Sequence, residues 1–213
     1  MLYPCMLHQF NIMKKILFII PFLMTSTVAF AQQEIGAISI LPKVGFNIAN
    51  FHGSESDSDS RIGLVIGAEA EYQVTDMVSV SAGLLYSMQG AKSSDSSDGY
   101  KIESTTKTDY INIPILANVY VYEGLAVKLG LQPAFNVKAD YKYSGHGFSE
   151  SGSLSDFGID VKSFDLSIPI GVSYEYQNYI VDARYNFGVT KVADHGDGKN
   201  SVFQFTFGYR FKL

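Results

Sequence analysis

Two hundred and thirteen residues with 46% hydrophobic side chains can bury the core of one domain or two small ones, which excludes global disorder. Sixteen Lys and Arg stand against 21 Asp and Glu; without the leader described next, and its Lys14 and Lys15, the balance is 14 − 21 = −7. That balance argues against nucleic acid as a main partner, because phosphate binding needs a basic face, and the single cysteine, Cys5, lies ahead of the leader, which leaves no disulfide, redox thiol or Cys-ligated metal site.

Met13-Lys14-Lys15 opens a short basic region, 16–30 is an almost unbroken apolar run, and Ala29-Phe30-Ala31 sets small residues where a signal peptidase reads. This predicts a signal peptide over 1–31, with the true start at Met13 and cleavage after Ala31. A transmembrane anchor is the competing reading, but fifteen residues at 1.5 Å each span about 22 Å, short of the ~30 Å hydrocarbon core. No lipid-anchoring cysteine follows, and no later apolar stretch approaches the length of a membrane helix. The remainder, 32–213, reads as one domain.

From Gln32 the dominant signal is period two, in eight segments of about ten residues. The apolar registers run Val44, Phe46, Ile48; Ile62, Leu64, Ile66, Ala68, Ala70, Tyr72; Val78, Val80, Ala82, Leu84, Tyr86, Met88; and Ile111, Ile113, Ile115, Ala117, Val119, Val121. They continue Leu125, Val127, Leu129, Leu131, Pro133, Phe135, Val137; Phe164, Leu166, Ile168, Ile170, Val172, Tyr174, Tyr176; Tyr179, Val181, Ala183, Tyr185, Phe187, Val189; and Phe203, Phe205, Phe207, Tyr209, Phe211, Leu213. Each list is one face of one strand. The opposite register holds Gly, Ser, Asn and Gln with Lys43, Arg61, Glu69, Glu71, Lys128, Lys138, Asp140, Asp165, Glu175, Asp182, Arg184, Arg210 and Lys212. None of these charges falls on the apolar face, where Lys or Arg in lipid would cost ~2–4 kcal/mol at the midplane.

Tight turns at 74–77, 123–124 and 177–178 alternate with long polar connections at 52–60, 90–108, 142–161 and 190–200, the pattern of an up-and-down meander. A lipocalin-like barrel with apolar residues inside has the same period. Four features favour the inverted, membrane arrangement: an even strand count behind a signal peptide, the alternating connections, aromatic residues near strand ends, and a C-terminal strand of six large apolar residues. The expected girdles are Tyr72, Tyr120, Tyr122, Tyr174, Tyr176 and Tyr179 beside the short turns, and Phe51, Tyr86, Tyr110, Tyr141, Phe164 and Phe187 toward the long connections. Pro114 and Pro169 fall on the inward register, where a β-bulge, a lumen side chain or water could answer the missing donor.

The stretches 110–116 (YINIPIL), 164–171 (FDLSIPIG), 183–190 (ARYNFGVT) and 207–211 (FGYRF) resemble the PorT-like outer-membrane β-barrel family of Gram-negative bacteria. The resemblance implies the fold and is poor for activity. It permits an accessory part in a secretion apparatus; the terminal Leu213 departs from the aromatic residue common at the end of outer-membrane barrels.

Eight strands enclose an interior that side chains fill, so the lumen charges read as a plug, with Glu69, Glu71, Asp165, Glu175 and Asp182 facing Lys128, Arg184 and Arg210. A narrow ion path is the alternative. Catalysis would need a histidine oriented by a carboxylate; His52, His146 and His195 each precede Gly in a long connection, and Asp194 or Asp197 could join His195, but a polar loop tip is the simpler reading. Glu55, Asp57, Asp59, Asp95, Asp98, Glu150, Asp156 and Asp160 make the connections acidic without the spacing of a calcium loop, leaving weak divalent bridging to lipopolysaccharide phosphates.

The sequence thus predicts an eight-stranded antiparallel up-and-down transmembrane β-barrel in the outer membrane, with both termini periplasmic. It predicts a non-enzymatic structural or surface-interaction protein with no cofactor and no metal. Its partners are outer-membrane lipid and lipopolysaccharide, the barrel-insertion machinery, which would read Phe203 to Leu213, and an unidentified external or periplasmic protein. A porin-like channel is the second expectation.

Overall fold

A strand that crosses hydrocarbon must find partners along both backbone edges, and here that condition closes a ring. The computed structural model describes residues 33–53, 59–97, 100–145, 148–157, 161–193 and 197–213. Met13, Ala29 and Ala31 of the leader lie outside them, as do Glu55, Asp57, Asp98, His146, Asp160, Asp194 and His195. The strands are β1 (Ile38–His52), β2 (Asp59–Gln73), β3 (Val78–Ser97), β4 (Tyr100–Asn112), β5 (Ile115–Tyr122) and β6 (Leu125–Gly145). β7 (Phe148–Ser153), β8 (Phe164–Tyr176), β9 (Tyr179–Gly188), β10 (Lys199–Tyr209) and β11 (Phe211–Lys212) follow.

They make eight antiparallel staves, because β4 and β5 share one across Pro114 and β10 and β11 share another across Arg210. Pairing of β1 with β10 closes the ring. Following register once round, from Ile38 through Tyr72, Val80, Ala117, Leu129, Ile170, Tyr185 and Phe203, returns to β1 at Ile48, ten residues on. A stagger of ten over eight strands tilts them by about 41° and gives a backbone radius of about 8 Å.

All of these positions except Ile48, Ala117 and Tyr185 are large apolar side chains exposed on the outer surface, and those three lie on the same face. The polar register is buried inside, so the barrel is inverted relative to a lipocalin. The inward register is less uniformly polar than the sequence suggested: Leu41, Val65, Leu85, Leu116, Ile180 and Val202 also point in and are buried. Tyr110 and Tyr120 belong to this inner face and not to the girdles, because they alternate with outward Ile111 and Val119. Tyr141 is buried too, lying across Gly152 of β7, where a Cβ would meet its ring at 3.0 Å.

Pro114, Pro133 and Pro169 interrupt the ladder without a bulge. Register is the same on both sides of Pro114, with Gly83 N–H donating to Pro114 O at 3.0 Å and Ile113 N–H to Pro133 O at 2.8 Å. Each proline withholds the reciprocal donor, and a gap beside Pro169 likewise separates the pairs Leu129–Ile170 and Gln132–Ser167. A true bulge lies at Val137, where register shifts between Asp109 and Tyr110 of β4. It turns Lys138 and Asp140 outward, removing both from the lumen. Lys212 is exposed at the chain end.

The short turns are tight, with Gln177 and Asn178 both at positive φ (53° and 84°) as a two-residue hairpin of this twist requires, and Gly124 at 72°. Two of the expected long loops are strand instead. β3 and β4 stay paired over 90–97 and 100–108, while β6 continues to Gly145 and pairs with β7, followed by a 3-10 turn at Leu154–Phe157. The result is a four-stranded sheet, β3-β4-β6-β7, standing above the rim; eight residues of β3 beyond Gln89 make roughly 26 Å of strand.

A closed ladder has no edge from which to unzip, so the protein in cold detergent should run at a different gel mobility from the boiled sample. Leu129→Arg, near the middle of the outer apolar band, should cost ~2–4 kcal/mol in the free energy of folding into lipid vesicles, read from urea titration.

Candidate functional site in the barrel lumen

An interior about 8 Å in radius brings side chains from non-neighbouring staves into contact. Asp182 of β9 anchors the central network: it accepts from Lys128 Nζ of β6 at 2.7 Å, from Arg184 Nε at 2.7 Å and, at 3.4 Å, from Lys43 Nζ of β1. Glu69 of β2 takes Lys43 at 2.7 Å and Arg184 through both Nη atoms, at 2.7 and 3.0 Å. Three cations and two carboxylates are each at most 3% exposed.

Nearer the short turns, Arg210 reaches Glu175 at 2.9 Å and Glu71 at 3.2 Å. The Tyr120 hydroxyl donates to Glu71 at 2.6 Å and accepts from Arg210 at 3.2 Å, and Ser79 donates to Glu71 at 2.9 Å. Tyr120 and Arg210 are on opposite staves, so this contact spans the lumen. The first network carries one excess positive charge and the second one excess negative charge; together the eight groups are neutral, which is the condition for keeping them out of water.

Above the central network lies an uncharged tier. Asn47, Asn112, Gln132, Asn186 and Gln204 come from five staves, are at most 2% exposed, and by register stand within about 3 Å of one level. Asn47 donates to Ser87 at 2.9 Å and Gln132 to Ser167 at 3.4 Å. Higher still, Asn200 of β10 donates across the lumen to the Tyr110 hydroxyl of β4 at 3.4 Å.

Of the expected plug, Glu69, Glu71, Lys128, Glu175, Asp182, Arg184 and Arg210 meet in these two networks. Asp165 does not join them. It sits near the rim and accepts from Thr190 at 2.6 Å and Asn200 at 3.2 Å, with no cation beside it among the described residues. Lys43 belongs to the centre; the sequence reading placed it on the lumen register but did not name it among the charges that face one another. The signal that could have found it is glycine: added Cβ atoms at Gly83, Gly171 and Gly208 would lie 2.5, 2.9 and 3.0 Å from Cγ of Glu69, Arg184 and Lys43. Each long charged side chain lies across an inward glycine of the next stave.

His52 ends β1 rather than sitting in a loop, and its ring stacks on Phe187 with centroids 4.7 Å apart. Asp197 pairs with Lys191, whose ammonium holds this carboxyl below the ordinary range by hydrogen bond and charge. Among the described residues no three His, Cys, Asp or Glu side chains gather as a metal site. Phe203, Phe205, Phe207 and Phe211 face outward with Leu213, whose N–H donates to Ile38 O at 3.0 Å, and Tyr209 is half-buried among Tyr179 and Phe211.

The profile of the outer membrane protein beta-barrel domain matches residues 30–194. Among solved structures the chain is similar to the attachment invasion locus protein Ail of Yersinia pestis, at 19% identity and TM-score 0.49, covering 84% of this chain and 100% of that one. It is also similar to Neisserial surface protein A (16%, 0.47, covering 84% and 99%) and to the outer membrane protein OprG of Pseudomonas aeruginosa (12%, 0.41, covering 85% and 99%). No curated protein matches the chain.

Arg184→Met leaves Glu69 with Lys43 alone and Asp182 without its closest bidentate partner, and takes the charge sum of the eight buried groups from zero to −1, so it should cost about 3–5 kcal/mol in urea titration of the folded barrel. Lys128→Met should cost clearly less, because Asp182 keeps Arg184 at 2.7 Å. Equal losses would mean that the network does not hinge on Arg184.

Proposed function

The chain belongs to the outer membrane protein beta-barrel domain family, and from that premise we propose that this outer-membrane barrel is a non-enzymatic surface-interaction protein. It meets an external partner through the sheet that β3, β4, β6 and β7 raise above its rim. That sheet is the observation that carries the reading. Ordered strand of this length extends beyond what membrane crossing needs, and β7 pairs on one side alone among the described residues, with β6. An unpaired strand edge is a template for another chain.

The leader over 1–31, the periplasmic termini and the closer likeness to PorT-like barrels belong to the same reading. With short turns at the periplasmic end, Ile38 and Leu213 share that end and the extended sheet faces outward. A channel is disfavoured by the ion pairs, which join staves across the lumen at two levels. The lipid-facing surface offers no His and carboxylate pair for lipid chemistry among the described residues.

Replacing 93–104 and 141–153 with short turns should leave a heat-modifiable barrel but abolish capture of an external protein by amine crosslinking on living cells. Unchanged crosslinking would exclude the sheet as the contact surface. In planar bilayers the purified protein should show no conductance steps; steady steps would transfer the assignment to a small-solute channel.

A further inference from the structure

On β3, β4 and β6 the outward apolar face ends at Met88, Ile111 and Val137, and a few residues further on the outward positions of all three strands turn to lysine: Lys92, Lys107, Lys138 and Lys142. Register fixes their spacing. Thr105 pairs with Lys92 on one side and Lys142 on the other, so the two lysines flank it in one cross-strand row, about 10 Å apart. Lys107 is two residues along β4 on the same face, diagonal to both at about 7–8 Å. Three lysines therefore flank Thr105 on one face of the sheet.

The carboxylates on this face are engaged elsewhere. Asp140 takes Lys138 at 3.0 Å. Asp109, 4% exposed, accepts the Tyr86 hydroxyl at 2.7 Å and lies 3.9 Å from Arg61. Glu103, one step above the row, and Asp59, opposite Lys92, have partners of their own. Lys92, Lys107 and Lys142 have no ion-pair partner among the described residues, so this patch has spare positive charge on a chain that is otherwise acidic.

We infer that Lys92, Lys107 and Lys142 with Thr105 form a docking site for the phosphorylated headgroup of an outer-leaflet lipid. The position selects a lipid over a soluble phosphate. The site is on the face that continues the lipid-contacting side, directly above Leu84, Ile111 and Phe135, so acyl chains can lie on apolar residues while the phosphate meets the lysines. Lysine acts on phosphate as a point charge, and three such charges need no fixed fork geometry. The outer-leaflet assignment rests on the proposed orientation, with the extended sheet outside.

The test uses the full mature barrel in detergent micelles, with bis-phosphorylated lipid A as probe and native mass spectrometry as readout. Lys92→Gln/Lys107→Gln/Lys142→Gln should weaken binding by about five-fold for each lysine removed. The dephosphorylated lipid should bind the unaltered protein as weakly as the phosphorylated lipid binds this variant, and the triple Lys→Arg variant should bind like the unaltered protein. Heat modifiability confirms that each variant is folded. Equal retention of the phosphorylated lipid by the Gln variant, or its displacement by millimolar inorganic phosphate, would overturn the site. Orientation is read separately: hairpins clipped by protease only after cell lysis would overturn the outer-leaflet assignment while leaving the lysine-dependent binding to be judged on its own.

Discussion

Hydrocarbon supplies no hydrogen bonds, so every backbone N–H and C=O that crosses it must find a partner in the protein, and here the pairing of β1 with β10 completes that requirement. Closure carries consequences well beyond the backbone. With eight staves and a stagger of ten residues, tilt and radius follow, and a radius of about 8 Å leaves an interior that side chains fill. Pro114, Pro133 and Pro169 show the tolerance of the constraint. Each deletes one donor, yet register is unchanged across them, because the flanking pairs on both neighbouring staves hold the strand in place.

A narrow lumen then decides the chemistry inside. Arginine and lysine cannot extend into bulk water, so they lie across the barrel and find carboxylates two or three staves away, as Arg184 finds Glu69 and Arg210 finds Glu71. Desolvating eight charges is tolerable because their sum is zero and because donors such as Ser79 and Tyr120 occupy the remaining acceptor sites. Inward glycines create the room these side chains need. The same geometry that fills the lumen with paired charges leaves the sheet above the rim and the lysine patch at its base outside it.

Strand count, face assignment and membrane character were legible in the sequence, because a period of two and an even alternation of turn lengths survive any folding detail. The inner charges Glu69, Glu71, Lys128, Glu175, Asp182, Arg184 and Arg210 were legible for the same reason. Which of them touch was not, since contact depends on stagger, and stagger is a property of the ring. Asp165 shows the limit: its residue type and register match those of its neighbours, but its level near the rim gives it Thr190 and Asn200 instead of a cation. Polar composition also misled at 90–97, 100–108, 142–145 and 148–153, where Ser, Thr, Lys and Asp lie in paired strand, because backbone hydrogen bonding to a neighbour needs no apolar face.

By itself the sequence determined the alternation, and alternation is local: it needs only the two-fold geometry of an extended chain and the cost of charge in lipid. Tertiary structure decided closure, stagger, the bulge at Val137 that turns Lys138 and Asp140 outward, and the pairing of the lumen charges. Each of these joins residues far apart in the chain through the ring, and no local period encodes a distance across it.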